Sequence, residues 1–186
     1  MKRVLVAVLV LLFCTGCKQS NTELDRAMSL REQLLHSEGC RFTAVITADY
    51  GDKIYSFTMD CQADSNGDLT FTVTEPQSIS GITGKISGQG GHLTFADKAL
   101  GFEMLADGQV TPVSAPWLFV RTLRSGYISA CGSDGDLARL AIDDSYQENA
   151  LHLDIWLDSL NTPVRGEILW QGRRVVSLEI KNFTFL

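Results

Sequence analysis

The stretch GCRFTAVITADYGDKIYSFTMDC, residues Gly39–Cys61, decides the fold. It contains two runs in which apolar and polar side chains alternate, separated by a short polar segment, and this pattern is typical of a β-hairpin. We expect a turn in which Asp49 lies opposite Asp52. Phe42 then faces Met59, and one side of the hairpin is apolar along its whole length.

The same register places Cys40 directly opposite Cys61. Cβ atoms of directly opposed residues lie about 4.5–5.5 Å apart, which is slightly long for a disulfide but close enough to adjust. A bridge is one interpretation, since it would close a loop of about twenty residues and stabilise the fold by roughly 3 kcal/mol. Two small buried thiols are the other interpretation. Cys131 is left unpaired in either case.

The rest of the chain predicts two helices and several further strands. A helix is expected from Asn21 or Thr22 to the glycine stop at Gly39, with Leu24, Ala27, Met28, Leu34 and Leu35 on its buried face. A second helix is expected from about Pro116 to Arg124. Further strands are expected at Leu69–Thr74, Ile82–Ser87, His92–Ala96, Leu100–Leu105, Tyr127–Cys131, Leu137–Ile142 and Leu151–Leu157, followed by a closing hairpin around Gln171-Gly172.

This order predicts an α+β fold that is mostly β. We expect about ten antiparallel strands in one strongly curved sheet, a half-barrel, because so many strands cannot stay flat in one layer. The N-terminal helix and the mid-chain helix should cover one face. No internal repeat and no linker divides the chain, so residues 21–186 are expected to form a single domain.

The first sixteen residues have the pattern of an export signal. Lys2 and Arg3 are followed by ten consecutive apolar residues, Val4–Phe13, which is too short to span about 30 Å of hydrocarbon comfortably. The formal charge of the whole chain is -6. Removal of residues 1–16, which carry two positive and no negative charges, gives -6 - 2 = -8.

The segment around Cys17 resembles the lipobox of bacterial lipoproteins. Thr15 and Gly16 are the small residues that precede the lipidated cysteine in that family, although Cys14 stands where leucine is usual. The resemblance implies cleavage before Cys17, a diacylglyceryl group on its sulfur, and a tether over residues 17–20. The protein would then be anchored in the cell envelope, on the outer face of the cytoplasmic membrane or on an outer membrane where one exists.

Three longer stretches resemble the LolA/LolB superfamily. They are VTEPQSISGITGKISGQGGHLTF (Val73–Phe95), APWLFVRTL (Ala115–Leu123) and NTPVRGEILWQGRRVVSLEIKNFTF (Asn161–Phe185). The superfamily includes lipoprotein carriers, lipid-transfer lipoproteins, a stress-sensor regulator and a germination lipoprotein. It implies a hydrophobic concavity that binds an acyl chain, a lipoprotein or a partner protein without catalysis.

Two functions therefore compete. The protein either holds a hydrophobic ligand in its curved sheet, or fills the concavity with its own side chains and binds an envelope protein. Each candidate for lining the concavity has plain core packing as its alternative interpretation. The candidates are Phe42, Ile46, Phe57, Met59, Phe71, Phe95, Phe102, Met104, Trp117 and Leu118.

The sequence offers little for catalysis, metal binding or nucleic acid. His152 and Asp154 share one side of a strand, but its alternation with leucines predicts that this side is solvated. The spacings of zinc, EF-hand and phosphate-loop motifs are absent, so we expect no metal and no cofactor. The acidic balance without a basic stripe argues against nucleic acid.

Overall fold

The computed structural model describes residues 22–88, 90–94 and 105–186. In this part of the chain, ten strands form one antiparallel sheet in the order β5-β4-β3-β2-β1-β10-β9-β8-β7-β6. The strands are β1 (Gly39–Asp49), β2 (Ile54–Asp64), β3 (Leu69–Glu75), β4 (Thr83–Ser87), β5 (Gly90–Thr94), β6 (Tyr127–Asp134), β7 (Leu137–Asp143), β8 (His152–Leu157), β9 (Pro163–Trp170) and β10 (Arg173–Phe185).

The predicted architecture is confirmed. The sheet is curved and open, and two helices, α1 (Thr22–His36) and α2 (Ala115–Ser125), pack on it. Residues from both helices and from both halves of the sheet form one continuous core. The strand predicted at Leu100–Leu105 lies almost entirely outside the described residues. No helix among the described residues is long and apolar enough to span a membrane.

The β1–β2 hairpin forms, but its predicted register is wrong by two residues. Asp49 pairs with Ile54 rather than with Asp52. The loop has four residues, and the N–H of Tyr50 donates to the carbonyl of Lys53 at 2.9 Å. The side chain of Asp49 also accepts from the backbone N–H of Gly51 at 2.7 Å, where φ is +93°. A shift of two residues keeps every side chain on its predicted face, because side chains in a strand alternate with period two.

Helix α1 uses a narrower apolar face than predicted. Its buried residues are Ala27, Leu30 and Leu34. Leu24, Met28 and Leu35, which were expected on that face, are instead 39%, 50% and 53% exposed. Their positions around the helix axis explain this exposure. Each of the three is rotated by about 60° to 100° from Ala27, which takes it beyond the part of the helix that contacts the sheet.

Arginine side chains hold the two helices together. Arg31 of α1 donates from Nε to the carbonyl of Leu123 at 2.7 Å and from Nη2 to that of Gly126 at 2.8 Å. Arg124 of α2 donates in return to the carbonyl of Leu34 at 2.7 Å. Carbonyl groups near the end of a helix have no partner within it, so these bonds satisfy groups that would otherwise be unpaired.

Helix α2 lies against the concave side of the sheet, where Phe119 is fully buried. Its ring sits over Gly166 of β9, so that a Cβ atom at Gly166 would lie only 2.9 Å from Cδ2 of Phe119. The glycine therefore allows the helix to approach the strand closely.

We expect Gly166→Ala to destabilise the fold by about 1–3 kcal/mol, because the added methyl group collides with a ring that has no room to move. The matched control is Gly132→Ala on β6, where a Cβ atom would meet nothing within 4 Å. Urea unfolding of both variants measures the difference. Equal stability of the two would contradict the close contact between α2 and β9.

Candidate functional site

The concave face of the sheet is the candidate site, and in the described part of the chain it is filled. Of the ten predicted lining residues, Trp117 is partly buried. Three of them, Phe95, Phe102 and Met104, lie outside the described residues. The other six are at most 4% exposed and belong to the core: Phe42, Ile46, Phe57, Met59, Phe71 and Leu118.

Side chains from the helices occupy the space that a ligand would need. Leu30 and Leu34 of α1, and Phe119 and Leu123 of α2, are between 0% and 3% exposed. The ring of Phe42 lies 6.2 Å from that of Phe119, centroid to centroid, which is within the range of favourable aromatic pairs. The predicted lining residues are therefore mostly plain core.

Two larger surface pockets of the described part lie elsewhere, and their walls mix charged, polar and apolar groups. One, of about 470 Å³, is bounded by side chains of β1 to β4 that include Arg41, Asp60 and Lys85. The other, of about 570 Å³, lies beside the β3–β4 loop and includes Thr58 and Glu75. Both are open to solvent and carry charged side chains, whereas a lipid site is enclosed and lined mainly by apolar groups.

The predicted disulfide is absent. Cys40 lies opposite Ala63, and Cys61 lies opposite Phe42, so the two cysteines are diagonal rather than directly opposed. Both are buried free thiols. The shift of register explains the difference, since the predicted bridge depended on direct opposition. The second interpretation, two small buried apolar residues, describes what is observed.

Burial also controls the acidity of these thiols. It raises the pKa of Cys40 to about 12. It also raises the pKa of Cys61, to which the charge of Asp60 and the neighbouring Cys40 contribute in the same direction. Cys131 is less buried, and burial, with a smaller effect of Glu23, raises its pKa as well. Only a thiolate is an effective nucleophile, so none of the three is activated.

The outer side of β8 is not solvated as predicted. Asp154 is 3% exposed and Trp156 is 5% exposed. Arg139 covers Asp154 with a bidentate ion pair, at 3.0 Å from Nε and 2.6 Å from Nη2. This hydrogen bond with Asp154 is also the main reason why the pKa of Arg139 is raised.

Trp156 is enclosed by two guanidinium groups. Those of Arg139 and Arg165 lie 5.6 Å and 4.4 Å from its ring centroid, and its Nε1 donates to Asp134 at 2.8 Å. Glu167 accepts from Arg165 and, at 3.0 Å, from Arg174. These contacts link β7, β8, β9 and β10 into a rigid layer.

His152 takes part in this layer through both of its ring nitrogens. Its Nδ1 lies 2.7 Å from Asp143 and its Nε2 lies 3.6 Å from Asp154. Since a carboxylate faces each ring nitrogen, the arrangement orients the ring. No group of three or more histidine, cysteine or acidic side chains that could hold a metal is found among the described residues.

The edge strand β6 is a candidate interaction surface that sequence reasoning did not single out. Among the described residues, it pairs with one neighbour, β7. None of its side chains is fully buried, and Tyr127–Ser133 carries no charge. The ring of Tyr127 lies 5.2 Å from that of Tyr146, which is 87% exposed. The uncharged run YISACGS, Tyr127–Ser133, is the sequence feature that could have indicated this surface.

In the described residues the molecule is thus a single curved sheet with two covering helices and a filled concavity. No family model matches the chain, and no curated protein matches it by sequence. Among solved structures, it is similar to a LolA superfamily protein from Nitrosomonas europaea, with 11% identity and a TM-score of 0.48 over 86% of this chain and 93% of that one.

Two further solved structures are similar at a lower level. One is an outer membrane lipoprotein-sorting protein domain from Vibrio parahaemolyticus, with 8% identity and a TM-score of 0.39, covering 87% of this chain and 91% of that one. The other is the MucA/MucB complex of Pseudomonas aeruginosa, with 10% identity and a TM-score of 0.40, covering 88% of this chain and 57% of that one. Similarities with TM-scores below 0.5 do not indicate what this chain binds.

The burial of the thiols predicts an order of alkylation. At pH 8, iodoacetamide should modify Cys131 first, and Cys40 and Cys61 at least about tenfold more slowly, because their raised pKa values keep them protonated. Mass spectrometry of the folded protein measures the order. In denaturant without reductant, all three should become modified; protection of Cys40 and Cys61 there would reveal a disulfide.

Proposed function

We propose that this chain is a non-enzymatic, lipid-anchored protein of the cell envelope that binds a partner protein. The observation that carries the proposal is the filled concavity. An acyl chain would have to displace side chains of α1 and α2 from a core in which Phe42, Ile46 and Met59 are at most 1% exposed. Dense packing of this kind stabilises a scaffold rather than a ligand site.

The anchor is the N-terminal part of the proposal. The lipobox-like segment before Cys17 directs cleavage and lipidation there, and the apolar run Val4–Phe13 serves as the export signal. The mature protein then stays at the membrane surface through the lipid on Cys17. A partner recruited by the folded domain would be held close to the same membrane.

Strand β6 is the docking surface that fits such a partner. An edge strand presents a row of backbone N–H and C=O groups, and an extended segment of another protein can pair with that row. Proteins commonly block such edges with charges or proline, and Tyr127–Ser133 contains neither. The exposed ring of Tyr146 beside Tyr127 offers an aromatic contact at one end of the edge.

Native mass spectrometry separates a scaffold from a lipid carrier. We expect the chain from Thr22 onward, purified without detergent, to have the mass of the polypeptide alone, because the concavity is occupied by its own side chains. It should also fail to displace a fluorescent fatty acid from a carrier protein. A copurifying acyl lipid in stoichiometric amount would overturn the filled-concavity proposal.

A charged substitution on β6 tests whether this edge strand binds the partner. A photo-crosslinking residue at Ala130, which is exposed on β6, should capture the partner, which mass spectrometry identifies. Ala130→Lys should then weaken binding of that purified partner by at least about tenfold, since a lysine on the edge opposes strand addition. The matched control is Thr72→Lys, an exposed position on β3, which has a strand on each side. Equal loss in both variants would exclude β6.

A further inference from the structure

Helix α1 has three distinct faces, and one of them is apolar and exposed. The first face, Ala27, Leu30 and Leu34, packs into the core. The second consists of Leu24, Met28 and Leu35, which are 39%, 50% and 53% exposed. Their spacing of four and seven residues places them in one row along the helix. We call this row the apolar flank. The third face is polar and includes Asp25, Ser29, Glu32, Gln33 and His36.

The chain that leads to α1 limits where this flank can lie. Under the proposed function, five residues, 17–21, connect the lipidated Cys17 to Thr22, the first residue of α1. Five extended residues span at most about 18 Å. Helix α1 itself, with 15 residues, is about 22 Å long. The lipid anchor therefore holds the start of α1, and with it Leu24 in the first turn, close to the membrane surface.

Helix α2 extends the apolar flank at the end of α1. Leu35 lines a shallow cleft together with Trp117 and Arg121 of α2. The guanidinium group of Arg121 lies 5.2 Å from the ring centroid of Trp117. Tryptophan is enriched where hydrocarbon meets headgroups, and an exposed arginine can donate to lipid phosphate. Both side chains fit the boundary between acyl chains and headgroups.

The charges around the flank indicate the kind of lipid. Arg26 and Arg31 of α1 keep their charge but are half-buried and donate to backbone carbonyl groups, Arg26 to Asp158 and Arg31 to Leu123 and Gly126. The charged side chains exposed on α1 include the acidic Asp25 and Glu32. An anionic surface would be repelled by them, so the flank fits a zwitterionic surface.

We propose that the apolar flank of α1, with Trp117 and Arg121, lies on the zwitterionic phospholipid surface in which Cys17 is anchored. This inference rests on the lipid anchor of the proposed function. It adds an orientation: the domain does not rotate freely on its tether but is held with α1 parallel to the membrane. The two acyl chains of the diacylglyceryl group suffice for stable attachment, so the contribution of the flank is to fix the orientation of the domain.

Fluorescence in vesicles tests this orientation. The mature protein with lipidated Cys17 is placed in phosphatidylcholine vesicles, with an environment-sensitive dye at Met28→Cys and, as the matched control, at Ser29→Cys. Both carry Cys131→Ser, which removes the most accessible native thiol. We expect a blue shift at position 28, and quenching by a nitroxide-labelled lipid about threefold stronger than at position 29, which lies 100° around the helix.

The alternative outcomes are distinguishable. If the lipidated protein floats with the vesicles but positions 28 and 29 are quenched equally, the orientation is wrong and the anchor stands. If neither this protein nor Cys17→Ser floats, the anchor itself fails, and the orientation with it. Shielding of position 28 that appears without vesicles and rises with protein concentration would show that a second copy covers the flank. Shielding that requires a partner protein would likewise overturn the proposal.

Discussion

A curled sheet has a concave apolar face, and the need to cover that face governs the rest of this structure. The cover is supplied from within the chain, by α1 and α2. Phe119 approaches β9 closely because Gly166 has no side chain, and Arg31 and Arg124 fasten the two helices to each other. Once the helices occupy this position, little room is left for a ligand in the described part of the concavity. The proposed function accordingly uses the outer surfaces.

The fold could be predicted from sequence because its signals are local. Alternation with period two identified the hairpin, and the helix predicted from about Pro116 to Arg124 matches α2 within one residue at each end. The register of β1 against β2 could not be predicted in the same way. A slip of two residues leaves the same apolar face, so the pattern does not distinguish a turn that pairs Asp49 with Asp52 from the observed four-residue loop. The predicted disulfide was wrong for the same reason, because it required Cys40 directly opposite Cys61.

The candidate site was less accessible to sequence reasoning, because burial depends on partners distant in the chain. Phe42 and Met59 have the same apolar character whether they line a cavity or fill a core, and only the position of α2 decides between these. On the outer side of β8, alternation suggested solvent, but Arg139 and Arg165 cover Asp154 and Trp156. Long arginine side chains can shield an exposed face in a way that no periodicity reveals.

The two proposed surfaces are connected through the start of α1. The hydroxyl group of Ser133 on β6 donates to the carboxylate of Glu23 at 2.8 Å. This bond places one end of the β6 edge beside the first turn of α1. The tether joins α1 there, and the apolar flank begins there with Leu24. A partner strand added to β6 would therefore lie close to the membrane, in an orientation that α1 sets. In the proposed arrangement the lipid would place the protein at the membrane, α1 would orient it and β6 would bind the partner, while the packed concavity would support all three.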